Sequence, residues 1–395
     1  MLKRLYVDNF RCLEDFELKF DSINLFLGDN GAGKSTVFEV LEKLRAIITT
    51  STSIESTLYL SDCTRWKQGE ILKFDIEILG NGGSYLYELR VSAFESVSAM
   101  DMNNDHYEID SHQSNDSSFE TIISSEHLWF NQKPLLSVYL DNVEIYSDNE
   151  IKHHSSRYNY FQSILPLLKA SENNQKIIWF RERIKRLSIL QITPNSIVSE
   201  SSVTNQFLTR KLENYVSWHR YVFSENHHKL IQLTESLQEI LAGFIGFKLE
   251  RISEKAVILK LVFKTEDSDH SIEYIFEELS DGQKVLVVLY SLFYGLESQD
   301  YTLCIDEPDN FLALPEIQPW LFKLEDLCNE GKLQALLISH HPELINYLLA
   351  SPIGYWFERQ ANSSVKVKPI NSELQKCNES GLSMSELIAR RWLDD

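Results

Sequence analysis

Eight residues near the start of the chain, Gly28-Asp29-Asn30-Gly31-Ala32-Gly33-Lys34-Ser35, have the spacing G-x-x-x-x-G-K-[ST]. That spacing suits a phosphate chain. The glycines let backbone amides wrap the anion, Lys34 reaches the β- and γ-phosphates, and the Ser35 hydroxyl faces Mg2+. The context agrees. "SINLFLG" reads as a short apolar strand before the loop, and "STVFEVLEKLRAII" as a helix after it. The N-terminus of such a helix favours negative charge. Asn30, Gly31, Ala32, Gly33, Lys34, Ser35 and Thr36 are therefore candidate contacts to a nucleotide.

"YTLCIDEPDNF" is a hydrophobic run ending in two carboxylates. Asp306 is the candidate Mg2+ ligand, through water, and Glu307 the group that positions and polarises an attacking water. Glu307 acts as a base only if its carboxylate faces the γ-phosphate. An isolated Asp-Glu after a strand is usually a solvated loop, but a phosphate loop upstream reverses that reading. "LLISHHPELI" ends another strand in His340 and His341. His340 falls where a side chain would hydrogen-bond the γ-phosphate, and His341 before Pro342 reads as a turn residue. Adjacent strand residues point to opposite faces, which argues against the pair as a zinc site.

"EELSDGQKVLVVLYSLFYG" is harder to read. Ser280 and Gln283 have the spacing of a capping box, in which each side chain satisfies a free amide of a new helix. Gly282 is not explained by that, because glycine costs about 1 kcal/mol against alanine inside a helix. In the first helical turn it would leave the amides open to an anion.

These residues need elements to hold them. "LKRLYVDNF" alternates apolar and polar residues and reads as an edge-type strand. From Lys73 to about Tyr146 the pattern is strand-like, with Asn81-Gly82-Gly83 as a hairpin turn and residues 97–125 as a polar excursion. Between about 160 and 245 the periodicity is helical, as in "LENYVSWHRYVFSE" and "KLIQLTESLQEILAGF". Two strands follow, "AVILKLVFK" and "SIEYIFEEL". "YTLCIDEP" and "LQALLISHHP" have the form of buried parallel strands with functional C-terminal ends.

The composition bounds the rest. The 395 residues are 43% hydrophobic and 24% charged, with a formal net charge of −20. So acidic a chain is a poor general binder of nucleic acid, since phosphate contacts need clustered Lys and Arg. The one basic cluster, Arg181, Arg183, Lys185 and Arg186, reads as the solvated face of an amphipathic helix. The longest apolar run, Val285 to Leu296, is too short to cross a bilayer, and "MLKRLYVDNF" lacks the apolar core of a signal peptide. Five dispersed cysteines, at 12, 63, 304, 328 and 377, fit a reducing cytoplasm better than a disulfide framework.

Taken in order, the phosphate loop, "LSDGQ", "DEP" and the strand-end histidine resemble the ATP-binding-cassette (ABC) ATPases. "LYVDNFRCLEDFELKF" resembles the opening of their SMC/RecF/OLD branch. With "GLSMSELIARRW" near the end, the chain is similar to compact AAA family ATPases of that branch (AAA-15 or AAA-21 type). The similarity is firm over residues 1–50 and 270–395 and looser between them. It implies an α/β P-loop NTPase with an ABC-type head, meaning a mixed-sheet core, an antiparallel β-subdomain and a helical insertion. The implied division is 1–160 for an N-terminal lobe, 161–245 for the helical insertion and 246–395 for a C-terminal lobe.

The resemblance further implies Mg2+-dependent ATP hydrolysis with Lys34, Glu307 and His340 as catalytic groups. Two subunits would meet head to tail, so that Ser280, Gly282 and Gln283 serve the ATP held by Lys34 of a second copy. Arg11, in the matching "NFR", would lie near the nucleotide. The family's Q-loop glutamine would be Gln68 or Gln162. The loop after "DEP" departs from the family pattern, with Ala313 and Leu314-Pro315 where an aspartate or a His-Pro pair is usual. No heptads support a long coiled coil, and too few residues follow His340 for a Toprim nuclease domain. The implied role is an ATPase for a separately encoded effector, a nuclease or toxin, in antiviral defence. The alternatives are a RecF-like clamp on DNA and, more remotely, a transporter cassette.

Overall fold

The described residues form three sheets, and the central parallel one carries an apolar core on each face. The computed structural model describes residues 1–66, 71–96, 118–139, 142–149, 151–155, 159–265, 270–296, 300–348, 354–370, 381 and 383–389. The chain opens with β1 (Leu2–Asp8), β2 (Phe16–Lys19), β3 (Ile23–Gly28) and helix α1 (Lys34–Thr49). Then come β4 (Ile71–Gly80), β5 (Gly83–Ser96), β6 (Ser118–Phe130), β7 (Lys133–Tyr139), β8 (Asn142–Tyr146) and β9 (Lys152–Ser155). The middle holds α2 (Gln175–Lys185), β10 (Leu187–Gln191), β11 (Glu200–Ser201), α3 (Tyr215–Phe223) and α4 (His227–Ile240). After β12 (Phe244–Arg251), β13 (Val257–Lys264) and β14 (Ser271–Ile275) run α5 (Asp281–Leu296), β15 (Tyr301–Asp306), α6 (Leu314–Asn329) and β16 (Leu333–Ile338). Helix α7 (Pro342–Leu348), β17 (Gly354–Glu358), β18 (Lys366–Pro369) and a short helix, Met384–Ala389, complete the chain.

The central sheet has the order β10-β15-β16-β3-β17-β18. It is parallel except for β18, which runs antiparallel to β17. Strands β3, β15 and β16 at its centre are apolar on both faces, as buried parallel strands must be. Leu303 and Ile305 of β15 face one core with Trp218 of α3, Trp320 of α6 and most of α5. Cys304 between them faces the other core, with Phe38 of α1 and Phe74 of β4. The α/β fold with mixed sheets expected from the sequence is what the chain adopts. The apolar run of α5 is a core helix, buried from Lys284 to Leu296. No described helix is long and apolar enough to cross a membrane.

The second sheet is antiparallel, in the order β2-β1-β4-β5-β6-β7-β8-β9. The turn at Asn81-Gly82 has both residues at positive φ, 52° and 77°. It closes β4 onto β5 as the sequence predicts. Four expectations need correction. β1 is not an edge strand but lies between β2 and β4, so its alternation marks a solvent face rather than an edge. The polar stretch 97–125 is strand from Ser118 onward, with residues 97–117 outside the described residues. The helical stretch 160–245 also carries β10, a strand of the central sheet. Finally, three strands rather than two follow the helical stretch, because "FIGFKLER" is β12 and pairs with β13.

The basic cluster is not a solvated face. Arg183 is 1% exposed and donates to Asp300 Oδ2 at 3.1 Å and to Thr302 Oγ1 at 2.7 Å. Arg181 caps the Leu165 and Leu168 carbonyls, and Lys185 pairs with Glu182. Thr302 passes the contact on by donating to Gln334 Oε1 at 2.9 Å. Gln334 is buried and also accepts from the Leu2 amide and donates to the Leu2 and Asp21 carbonyls, each at 2.8 Å. This amide joins the two sheets. Gln334→Leu should leave a buried amide and carbonyl of Leu2 unpaired and cost about 3 kcal/mol. A thermal unfolding scan checks this, and an unchanged midpoint would show that the amide does not tie the sheets.

Candidate functional site

The site grows from the register of the central sheet. Gln191, Asp306, Ile338 and Phe26 are successive Cα partners across β10, β15, β16 and β3. The residues just beyond this row form a crevice at the carboxyl ends of the strands, where open α/β sheets place ligands.

β3 ends at Gly28, with φ 134°. A Cβ there would overlap the Phe357 carbonyl, so the adjoining strand leaves room only for glycine. The loop then turns into α1 through Gly33, at φ 99°, with no side chain capping the helix. Its first amides are thus left for an external acceptor. Lys34 is buried, and its Nζ donates to the Gly28 carbonyl at 2.6 Å and the Asp29 carbonyl at 3.0 Å. Burial lowers its pKa, with Asp306, Asp29 and Glu307 opposing the shift. The ammonium is held inside the loop by two of the loop's own carbonyls.

Ser35 Oγ donates to Asp306 Oδ2 at 2.9 Å, which brings the two Mg2+ candidates together. Hard oxygen donors at this spacing fit that ion. Burial raises the pKa of Asp306, and the Ser35 hydrogen bond is the largest opposing influence. Glu307 has φ 55° and its amide donates to the Ile338 carbonyl at 2.8 Å. Asn310 Nδ2 donates to Glu307 Oε2 at 2.6 Å, which fixes one carboxylate oxygen. His340 stands at the crevice mouth. Partial enclosure, then the charge of Lys34, lowers its pKa against the pull of Glu307, Asp309 and Asp306. The His341 amide donates to Ser339 Oγ, which in turn donates to Asp309 Oδ1 at 2.7 Å. Among the described residues no group of three or more His, Cys, Asp or Glu is placed to hold a metal.

Arg11 lies beside α1 rather than in the loop. It pairs with Glu39 at 2.5 Å and Asp62 at 3.2 Å. Thr36 Oγ1 accepts from Cys12 Sγ at 3.7 Å. Ser280 and Gln283 form the capping box, with Gln283 Oε1 accepting from the Ser280 amide at 3.0 Å and Ser280 Oγ from the Gln283 amide at 3.3 Å. Among the described residues, no hydrogen bond or ion pair joins 280–283 to 28–36. Gly282 faces its own chain closely, since a Cβ there would be 2.8 Å from the Phe311 carbonyl.

Of the two glutamines named from the sequence, Gln68 lies outside the described residues. Gln162 is not in the crevice. Its neighbour Phe161 accepts from the Ile54 amide, beyond the C-terminal end of α1. The glutamine beside Asp306 is Gln191, which the sequence reading passed over. Its signal was present, because "LSILQ" is an apolar run ending in a polar residue, like "TLCID" and "ALLIS". A second omission is Arg210, which pairs with Glu42 of α1 at 2.9 Å while its carbonyl accepts from the Gln191 amide.

Comparison with known proteins follows the same lines. The family described as AAA domain, putative AbiEii toxin, Type IV TA system matches residues 23–346. A stretch of 42 residues, 11% of this chain, is 50% identical to an OLD nuclease of Thermus scotoductus (strain ATCC 700910 / SA-01) and spans 8% of that protein. The match thus covers less than a tenth of that curated relative. Among solved structures, an SMC head bound to the C-winged helix domain of ScpA shares the fold. Its TM-score is 0.53 at 12% identity, over 94% of this chain and 99% of that one. The SMC head domain from Thermotoga maritima has a TM-score of 0.44 at 11% identity, over 93% and 98% of the two chains.

The raised pKa of Asp306 has a measurable consequence. The carboxyl holds its proton to higher pH than an ordinary aspartate, and a Mg2+ ligand must lose it. With a non-hydrolysable ATP analogue, Mg2+ affinity should therefore fall on going from neutral to mildly acidic pH more steeply in the wild type than in Asp306→Asn. Metal titration calorimetry reads the difference, and identical pH profiles would remove Asp306 from the metal site.

Proposed function

The chain belongs to this AAA domain family, an ABC-type branch related to SMC and OLD ATPases, and on that premise we propose that it is a Mg2+-dependent ATPase. Two copies close head to tail around ATP, and the closure controls a separately encoded effector in defence against phage. The observation that carries the reading is the crevice itself. Lys34, the Ser35–Asp306 pair at 2.9 Å, Glu307 and His340 meet at the ends of parallel strands although they come from distant parts of the chain.

The roles follow from the chemistry of each group. Lys34 and the free amides of α1 bind the phosphates. Ser35 and Asp306 hold Mg2+, which when bound supplies charge to neutralise the β- and γ-oxygens. Glu307, with one oxygen fixed by Asn310, has the other to orient the attacking water. His340 hydrogen-bonds the γ-phosphate, and Gln191 takes the place sought for the Q-loop glutamine. Ser280, Gly282 and Gln283 find no phosphate loop in their own chain, which supports a role at that of a second copy.

The effector role rests on the family description, which names a toxin system, and on the short match to an OLD nuclease. A RecF-like DNA clamp has less support. Net charge is −20, and Arg181, Arg183 and Lys185 are spent on internal contacts.

Purified protein should turn over Mg-ATP, and Lys34→Ala should reduce the rate to background. Glu307→Gln should bind ATP without hydrolysing it and double the mass seen by light scattering. Turnover in Lys34→Ala equal to wild type would refute the enzyme reading, and an unchanged mass of Glu307→Gln with ATP would refute the dimer.

A further inference from the structure

Beside the phosphate loop stands an aromatic–guanidinium pair with no task in the chemistry above. Trp66 is 37% exposed, and its indole Nε1 donates to Glu14 Oε2 at 3.1 Å. Arg359, just past β17, lies over the ring with its guanidinium carbon 5.5 Å from the centroid. The same guanidinium donates from Nη1 to the Gly31 carbonyl at the tip of the phosphate loop, at 3.3 Å. Its Nε donates to the Ser363 carbonyl at 3.1 Å. Three segments far apart in sequence thus bring an anchored indole to the rim of the loop. The segment carrying Glu14 also borders the start of α1, through Cys12 and Thr36.

We propose that Trp66, held by Glu14 and Arg359, is the platform on which the purine base of the bound nucleoside triphosphate stacks. This rests on the reading of the loop as a nucleotide site and adds where the base goes. A ring fixed at its N–H and under a guanidinium offers a base a ready plane. Arg359 links that plane to Gly31, so base and phosphate contacts form one unit. Stacking tolerates base identity because every base has a π-face. The platform therefore selects by ring area, purines over pyrimidines, with little choice between adenine and guanine.

The test titrates the full chain with Mg-ATP, Mg-CTP and inorganic tripolyphosphate. Wild type should bind ATP more tightly than CTP. Trp66→Ala should weaken ATP about tenfold, leave tripolyphosphate unchanged and abolish the preference over CTP. Trp66→Phe should restore most of both. Arg359→Ala, which frees the ring without removing it, should weaken ATP less than Trp66→Ala. Equal loss of ATP and tripolyphosphate in Trp66→Ala, with an unchanged unfolding midpoint, would make Trp66 a support of the loop and overturn the proposal. So would unchanged ATP affinity. Wild-type protein that binds neither ATP nor tripolyphosphate would instead overturn the nucleotide reading beneath it.

Discussion

Parallel strands buried on both faces can be held only between two apolar layers, and their hydrogen-bond register then fixes where each one stops. In this chain β10, β15, β16 and β3 share one row of partners, Gln191–Asp306–Ile338–Phe26. A slip of one residue in any of them would turn every side chain to the opposite core. The cores differ enough to forbid it. Leu303 and Ile305 meet the helices α3 to α6, while Cys304 sits among α1 and the antiparallel sheet. Burial in the middle of the strands thus holds Asp306 beside Ser35 at their ends, so the site's precision is set by packing remote from it.

The other end of the same strands is secured by polar rather than apolar contacts. Thr302 and Gln334 are register partners one strand apart, and through them Arg183 of α2 reaches Leu2 of β1. A buried guanidinium is costly unless it is paired and hydrogen-bonded. Asp300 and Thr302 supply part of that compensation, through Nε and Nη2, while Nη1 has no partner among the described residues and burial lowers the pKa of Arg183. A buried carboxylate does similar work in the second sheet. Glu126 accepts from Tyr87, Ser163 and the Ile164 amide, which ties β6 to the segment packed on α1. Directional bonds of this kind fix the orientation of the sheets where apolar packing alone would permit sliding.

What the sequence made legible follows from these facts. Strands buried on both faces read as apolar runs, and β3 was identified with its terminal glycine, β15 and β16 with their polar ends. The strand β10 has the same form, but it follows α2 after one residue, and its short run merged with the helical pattern before it. That cost the reading Gln191. Arg183 could not be placed from sequence, because a basic residue at helical spacing looks the same whether it meets water or a buried threonine. Arg11 shows a related limit. The motif placed it near the loop, but its partners, Glu39 and Asp62, depend on how residues 54–62 return along α1. The capping box at Ser280 and Gln283 was readable because both of its bonds lie within four residues.

Gly282 shows how a local argument can be right about a residue and incomplete about its reason. Read alone, its cost within a helix calls for an external partner such as an anion. In the folded chain the missing Cβ also makes room for the Phe311 carbonyl. Phe311 lies in the loop that follows Asp306, and it is left-handed at φ 72°, as Glu307 is at φ 55°. Two non-glycine residues in that region within five positions store strain of about 1 kcal/mol or more each. The loop holds them by short bonds, from Asn310 to Glu307, from Ser339 to Asp309 and from the Leu312 amide to the Asp309 carbonyl. A side chain at position 282 would push on this strained loop at Phe311, one residue from the amide that fixes the Glu307 carboxylate. The start of α5 and the geometry of Glu307 are therefore mechanically joined within a single chain.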